Sequence, residues 1–147
     1  RISVAPSPNF ALSHRFRLDK DDLTFRRNEV DARATYGPLS GSIGYAFFDR
    51  SLSAALGERE EVTGTASYQM AEFWRVYGST RRDLEGQQTL SNNIGIEYQD
   101  ECLTAGLAFN QSFTRDRDIE PENSLMFTIV FKHLGGAQYT SGLNANN

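Results

Sequence analysis

The sequence predicts an all-β chain, an antiparallel up-and-down meander of about nine strands, and three observations carry that reading. Apolar and polar residues alternate with a period of two in one run after another, the mark of a strand with one apolar face. Turn formers and charge clusters punctuate the runs at regular spacing. No stretch keeps a 3.6-residue period long enough for a helix, which excludes alternating βαβ architecture.

The runs follow in chain order. Ile2 and Val4 belong to a short strand stopped by Pro6-Ser7-Pro8-Asn9, a strong turn signal. Phe10, Leu12, Phe16 and Leu18 then alternate with Ala11, Ser13, Arg15 and Arg17, up to the break Asp19-Lys20-Asp21-Asp22. From Leu23 to Tyr36, Val30, Ala32, Ala34 and Tyr36 oppose Glu29, Asp31, Arg33 and Thr35, and Gly37-Pro38 turns the chain. Leu39, Ile43, Tyr45 and Phe47 oppose Ser40, Ser42, Gly44 and Ala46. A charged connection from Asp49 to about Glu60 includes Leu52–Leu56, a candidate helical turn.

Val62 to Met70 and Trp74 to Arg81 alternate again around the turn Ala71-Glu72-Phe73. After the polar loop from Arg82 to Gln88, Leu90, Ile94, Ile96 and Tyr98 oppose Ser91, Asn93, Gly95 and Glu97. Asp100-Glu101 leads into the clearest hairpin. In its first arm Leu103, Ala105, Leu107, Phe109 and Phe113 share a face opposite Thr104, Gly106, Ala108, Asn110 and Ser112. In its second arm, Ser124 to Leu134, the apolar set is Leu125, Phe127, Ile129 and Phe131 against Met126, Thr128, Val130 and Lys132. Strands are expected over residues 1–135, followed by a small, polar tail without fixed structure over 136–147.

Composition sets the class. A net charge of −4 and a pI near 5.2 give no ground for nucleic-acid binding. The mean hydropathy of −0.50 would fit a water-soluble domain, but a transmembrane barrel scores as low, because every second residue faces a wet interior. A soluble barrel would expose a face rich in Lys and Glu. Here the polar face is mostly Gly, Ala, Ser, Thr, Asn and Arg, and the only lysines are Lys20 and Lys132. The apolar face carries aromatics near the strand ends, among them Phe10, Tyr36, Tyr45, Phe47, Tyr68, Trp74, Tyr98 and Phe113. Such girdles, with short turns on one side and long charged loops on the other, belong to outer-membrane barrels. Each arm of the last hairpin reaches the roughly 9–11 residues that a tilted spanning strand needs. The loop alternation runs the last strand from the outside to the periplasm.

Four segments resemble one family. Arg26-Arg27-Asn28-Glu29-Val30, Phe73-Trp74-Arg75-Val76-Tyr77-Gly78-Ser79, Arg82-Asp83-Leu84-Glu85 and above all Thr114-Arg115-Asp116-Arg117-Asp118-Ile119-Glu120-Pro121 are similar to the C-terminal part of the LPS-assembly protein LptD family, also called organic solvent tolerance proteins (OstA). The resemblance covers about Arg1 to Gly136 and implies the C-terminal portion of a large transmembrane β-barrel in the Gram-negative outer membrane. The absence of a signal peptide and of an N-terminal jellyroll domain fits such a portion. The family implies assembly of lipopolysaccharide in the outer leaflet, without enzymatic chemistry, through the lumen and a lateral gate between first and last strands. It implies an LptE lipoprotein plug and a periplasmic lipopolysaccharide bridge docked on the absent N-terminal domain.

Individual residues then acquire expectations. Cys102, the only cysteine, is an inert thiol on its own showing; the resemblance implies an interdomain disulfide in the oxidising periplasm. The charged set Arg15, Arg17, Glu29, Asp31, Arg33, Arg75, Arg81 and Glu97 is expected to line the lumen, pairing across strands or steering an anionic glycolipid. Asp116, Asp118, Glu120 and Glu122 form an extracellular loop, solvated or holding divalent cations. Leu125, Met126, Phe127, Thr128, Ile129, Val130 and Phe131 are expected to form the lateral-gate strand, because theirs is the last strand. His14 and His133 have no partners at metal spacing, and no nucleophile elbow or phosphate loop occurs. No catalytic residue, metal or cofactor is therefore assigned. The alternatives are another outer-membrane barrel, either porin-like or a barrel hydrolase with a Ser–His pair, and a soluble β-sandwich.

Overall fold

A computed structural model describes residues 1–20, 23–49, 59–113, 122–132 and 135–143. Within them the chain forms a single ten-stranded antiparallel sheet in which sequence order is spatial order. The strands are β1 (Ile2–Ser7), β2 (Phe10–Leu18), β3 (Phe25–Tyr36), β4 (Leu39–Phe48), β5 (Arg59–Gln69), β6 (Trp74–Asp83), β7 (Gln88–Gln99), β8 (Leu103–Ser112), β9 (Glu122–Phe131) and β10 (Gly135–Gly142). The all-β meander expected from the period-two pattern is what the structure shows. β1 and β10 are the edges, and the sheet is not closed on itself among the described residues.

One expectation is corrected. Gly135–Gly142 is not a structureless tail but a tenth strand, paired with β9 from Gly135↔Phe131 to Gly142↔Ser124. The segment hid because Gly135, Gly136, Ser141 and Gly142 carry no apolar pattern, so only the backbone ladder marks it. The strand therefore begins within the former boundary at 135 and runs beyond it. The candidate helical turn at Leu52–Leu56 and the most specific family-like run, Thr114–Pro121, lie outside the described residues.

The turn side is built from local chemistry. Gly37 takes φ 55° with open space around it, the left-handed conformation that glycine adopts without a Cβ penalty. Thr35 N donates to Asn9 O across the neighbouring turn, and Gln69 N donates to Pro38 O, so adjacent hairpins lock at that side. On the other side Gln87, at φ 51°, closes the connection from β6 to β7.

The sheet is one layer thick and encloses no core. Among the described residues only Leu90 and Ala108 are buried hydrophobic residues, and no large side chain is fully buried. The accessible surface is 10929 Å². A compact protein of this mass, 16.5 kDa, would expose roughly 7,600 Å². The difference lies in two faces left uncovered by any second layer.

Candidate functional site

The register divides every strand into the same two faces. One face holds a row of charge pairs, some across strands and some within one. Arg15 of β2 stands opposite Glu29 of β3, with Arg15 Nε 3.2 Å from Glu29 Oε2 and its Nη2 3.1 Å from Asp31 Oδ2. Glu29 Oε2 is buried and lacks hydrogen-bond alignment, so this contact is an ion pair only. Arg27 Nη2 reaches Glu29 Oε1 at 2.7 Å. Arg75 of β6 pairs with Glu97 of β7 at 2.8 Å. Arg81 approaches Glu61 at 3.8 Å, and Arg59 also engages Glu61.

Of the charged set read from the sequence, Arg15, Glu29, Asp31, Arg75, Arg81 and Glu97 are thus drawn into pairs. Arg17 and Arg33 share the face and have no ion-pair partner among the described residues. Sequence reasoning missed Arg27, Arg59 and Glu61, which sit on the same parity and were readable from it.

The pairs have a vertical order. The Glu29 side chain is 12 % exposed while its partner Arg15 is 47 % exposed, and Glu61 and Glu97 lie low beneath their arginines in the same way. The carboxylates sit near the backbone and the guanidinium groups stand toward solvent. What this face presents outward is therefore mainly arginine, hydroxyl and amide. Ser40 and Ser67 hydrogen-bond at 2.8 Å, Ser42 and Thr65 at 2.7 Å, and Asn93 donates to Asn110.

Two hollows lie over the polar face. A hollow of about 620 Å³ runs over Ser3, Ser13, Arg15, Asp31, Arg33 and Thr63. A second of about 500 Å³ lies over Arg33, Ser40, Ser67, Arg75, Tyr77 and Ser79. Small residues let larger neighbours lie flat. A Cβ on Gly95 would come within 2.5 Å of the Tyr77 ring, so Tyr77 uses the space that glycine leaves, and Arg75 stacks over Tyr77 at 5.6 Å. Ala108 on this face is 2 % exposed, whereas its neighbour Leu107 on the opposite face is 43 % exposed.

The opposite face is apolar and exposed. Aromatic contacts bound it at both ends. On the turn side Trp74 and Tyr98 meet edge-on at 5.2 Å, with Phe73 5.9 Å from Tyr98. On the loop side Phe16 and Phe25 meet at 6.4 Å. Ile43, Ile94, Leu107, Leu125 and Phe127 lie between the two girdles, all exposed. Three cross-strand pairs of polar side chains stand on this face. His14 Nε2 contacts Asn28 Oδ1 at 2.7 Å, Tyr45 Oη donates to Glu60 at 2.7 Å, and Thr80 Oγ1 donates to Asn92 at 2.8 Å.

Cys102 is exposed in the turn from β7 to β8. Asp100 builds that turn: its Oδ1 accepts from Cys102 N at 2.8 Å and from Leu103 N at 2.7 Å, and Tyr98 Oη donates to Oδ2 at 2.9 Å. These backbone donors, Cys102 first, hold the Asp100 carboxyl below its ordinary value. Lys132 Nζ donates to Asp100 O, and Lys132 N donates to Cys102 O at 2.9 Å. The thiol therefore stands on a fixed turn next to the end of β9.

The residues read as a gate strand, Leu125, Met126, Phe127, Thr128, Ile129, Val130 and Phe131, all lie in β9. The premise that theirs is the last strand is corrected, because β9 is hydrogen-bonded to β8 on one side and to β10 on the other. The last described strand therefore runs opposite to the expected direction, since β10 returns the chain toward the loop side. Glu122 opens β9 and is exposed. Asp116, Asp118 and Glu120 fall outside the described residues, as does His133. Among the described residues no group of three or more His, Cys, Asp or Glu side chains is placed to hold a metal ion.

Comparison with known proteins adds one finding. No family model matches the chain, and no solved structure matches it significantly. Two curated relatives are similar to it, the LPS-assembly protein LptD of Haemophilus influenzae strain Rd and that of strain 86-028NP, each 23 % identical over 99 residues. The match covers 64 % of this chain and 13 % of each relative, so the chain spans a small part of the length of these proteins.

Proposed function

We propose that this chain is part of an outer-membrane β-barrel that takes part in lipopolysaccharide assembly, and that it works without enzymatic chemistry. The observation that carries the reading is the two-faced, one-layer sheet. In water its apolar face would leave Ile43, Ile94, Leu107 and Phe127 wet at about 25 cal/mol for each Å². In a bilayer the same face is solvated by acyl chains and its aromatic ends meet the headgroups. The polar face then lines the interior, where buried backbone is satisfied by the ladder and charges are paired across strands. The similarity to two LptD proteins supports lipopolysaccharide as the cargo of the parent barrel.

Arginines standing above their carboxylates suit an interior that handles a phosphorylated glycolipid, since each guanidinium keeps donors free for phosphate. Within this reading an LptE-type lipoprotein fills the lumen, a periplasmic bridge delivers lipopolysaccharide from another domain, and Cys102 is disulfide-bonded to that domain. A lateral seam does not open along β9, because that would break the ladders to both β8 and β10.

The test is depletion of the full chain in its host. The reading expects loss of newly made lipopolysaccharide from the cell surface and a heat-modifiable band for the chain in outer-membrane fractions. Surface lipopolysaccharide at the normal level after depletion would refute the assembly role. A band that does not shift on heating would refute the barrel.

A further inference from the structure

Followed up the apolar face of each strand, the run before the first polar side chain has a definite length. On β3 it extends from Tyr36 to Asn28, on β5 from Tyr68 to Glu60, on β8 from Leu103 to Gln111 and on β9 from Phe131 to Asn123, eight residues each. β4 stays apolar or aromatic on this face up to Phe47. β2 reaches Leu18, interrupted by His14, whose Nε2 is held by Asn28. On β6 the run stops after six residues, from Trp74 to Thr80, and on β7 after six, from Tyr98 to Asn92. The register sets these two short runs side by side, with Trp74 across from Tyr98 and Thr80 across from Asn92. The apolar band is therefore notched at β6 and β7.

The notch is deep on the scale of a bilayer. Eight residues rise roughly 27 Å along a strand and six rise roughly 20 Å, at ~3.4 Å each. At a tilt of about 40° these become ~21 Å and ~16 Å of depth. Outer-membrane barrels carry an apolar band about 25 Å tall. No apolar surface for lipid resumes directly above the notch. Arg82, two residues beyond Thr80, is exposed on the same face, across from Val62. Leu90, two residues beyond Asn92, is buried.

The groups at the notch need water. Thr80 Oγ1 donates to Asn92 Oδ1 at 2.8 Å. The Asn92 amide N–H groups have no protein partner among the described residues, and both residues are exposed. Such donors are costly in hydrocarbon. A short apolar run is accommodated by snorkelling, by association with another protein or by thinning of the bilayer. Snorkelling needs a long side chain, and Thr80 and Asn92 are short. Association would also bury the Arg82 guanidinium, which has no ion-pair partner among the described residues. Thinning wets all three groups together.

We propose that the β6–β7 sector thins the bilayer leaflet on its loop side, drawing headgroups and water down to Thr80 and Asn92. The proposal rests on the membrane-spanning reading above, and its partner is the lipid surface itself.

The experiment uses the full chain with Cys102→Ser in bilayers of sixteen-carbon phosphatidylcholine, carrying one nitroxide at Asn92→Cys or, as reference, at Ile94→Cys. Oxygen concentrates in lipid and a nickel chelate stays in water. The ratio of nickel to oxygen collisions should rise several-fold from the Ile94 site to the Asn92 site. Adding Thr80→Leu and Arg82→Leu should lower the ratio at the Asn92 site several-fold. In urea titrations, Thr80→Leu with Asn92→Leu should lose most of the wild-type preference for twelve-carbon over sixteen-carbon vesicles. An oxygen-favoured label at the Asn92 site of the otherwise unchanged chain would overturn the thinning, whether or not the leucine variants fold. An unchanged chain-length preference in the folded leucine variant would overturn it as well. A label there shielded from both reagents would overturn it in favour of a protein partner. A full chain that never enters the bilayer would overturn the membrane reading and the thinning together.

Discussion

Leu107→Arg separates a lipid-facing surface from a water-facing one. Leu107 lies on the apolar face of β8, opposite Ile96 of β7 and Phe127 of β9, and is 43 % exposed. If that face were in water, an arginine there would change stability by no more than about 0.5 kcal/mol, as for most surface substitutions. If it meets lipid near the midplane, the cost is about 2–4 kcal/mol. At 1.36 kcal/mol per decade this lowers the folding equilibrium roughly 30- to 1000-fold. Thr128→Arg is the internal control. Thr128 faces the polar side, between Gly106 and Gln138, where arginines already stand, and the change should cost less than about 1 kcal/mol. The assay is a urea titration of the full chain folding into vesicles, read for both variants. A Leu107→Arg cost within about 0.5 kcal/mol of zero, or a larger cost at Thr128, would refute the face assignment.

Gly95→Val should displace the Tyr77 ring, which lies within 2.5 Å of the new Cβ, and cost about 1–3 kcal/mol; a double-mutant cycle with Tyr77→Ala should recover most of the loss. Arg75→Ala should cost no more than about 1 kcal/mol, because the Arg75 partner of Glu97 is 46 % exposed and such pairs are screened; the same titration reads it. The Asp100 carboxyl sits below its ordinary value of 3.8, so its contribution is present above that pH and is lost as pH falls through the lowered value. Protection of the Cys102 and Leu103 amides, taken relative to their intrinsic exchange rates, should therefore be kept at neutral pH and fall as pH drops through the lowered value. In the full chain Cys102 should resist alkylation until a reductant is added, and Cys102→Ser should shift a non-reducing gel; equal mobility with a freely alkylated wild-type thiol would reject the bridge.

The face pattern was legible because a strand exposes its period directly. Leu107 against Ala108 and Ile129 against Thr128 are distinguished by parity alone, and a shift of one residue would have reversed every side chain. What stayed hidden had no period to read. β10 pairs through its backbone, and Tyr139 is the large exposed apolar residue recorded there before Leu143. Arg27 with Glu29 and Arg59 with Glu61 are two apart on one strand and were readable from parity, whereas the approach of Arg81 to Glu61 depended on the register that the hairpin turns set. The row Gly41, Ala66 and Gly78 is another cross-strand object: these residues are far apart in sequence and adjacent only once β4, β5 and β6 are in register. The premise of the gate assignment, that β9 ends the sheet, failed for the same reason that β10 was missed.

The central claim is that the two faces of this sheet meet two solvents, and a spin-label scan along β8 tests it most directly. Single cysteines from Thr104 to Ser112, placed in a Cys102→Ser background of the full chain in bilayers, would each carry a nitroxide. Collision with oxygen reports lipid, and collision with a water-soluble nickel chelate reports an aqueous interior. The account predicts strict alternation, with oxygen favoured at Ala105, Leu107 and Phe109 and nickel at Thr104, Gly106 and Asn110. Alternation of the opposite phase, or equal accessibility at neighbouring positions, would contradict it.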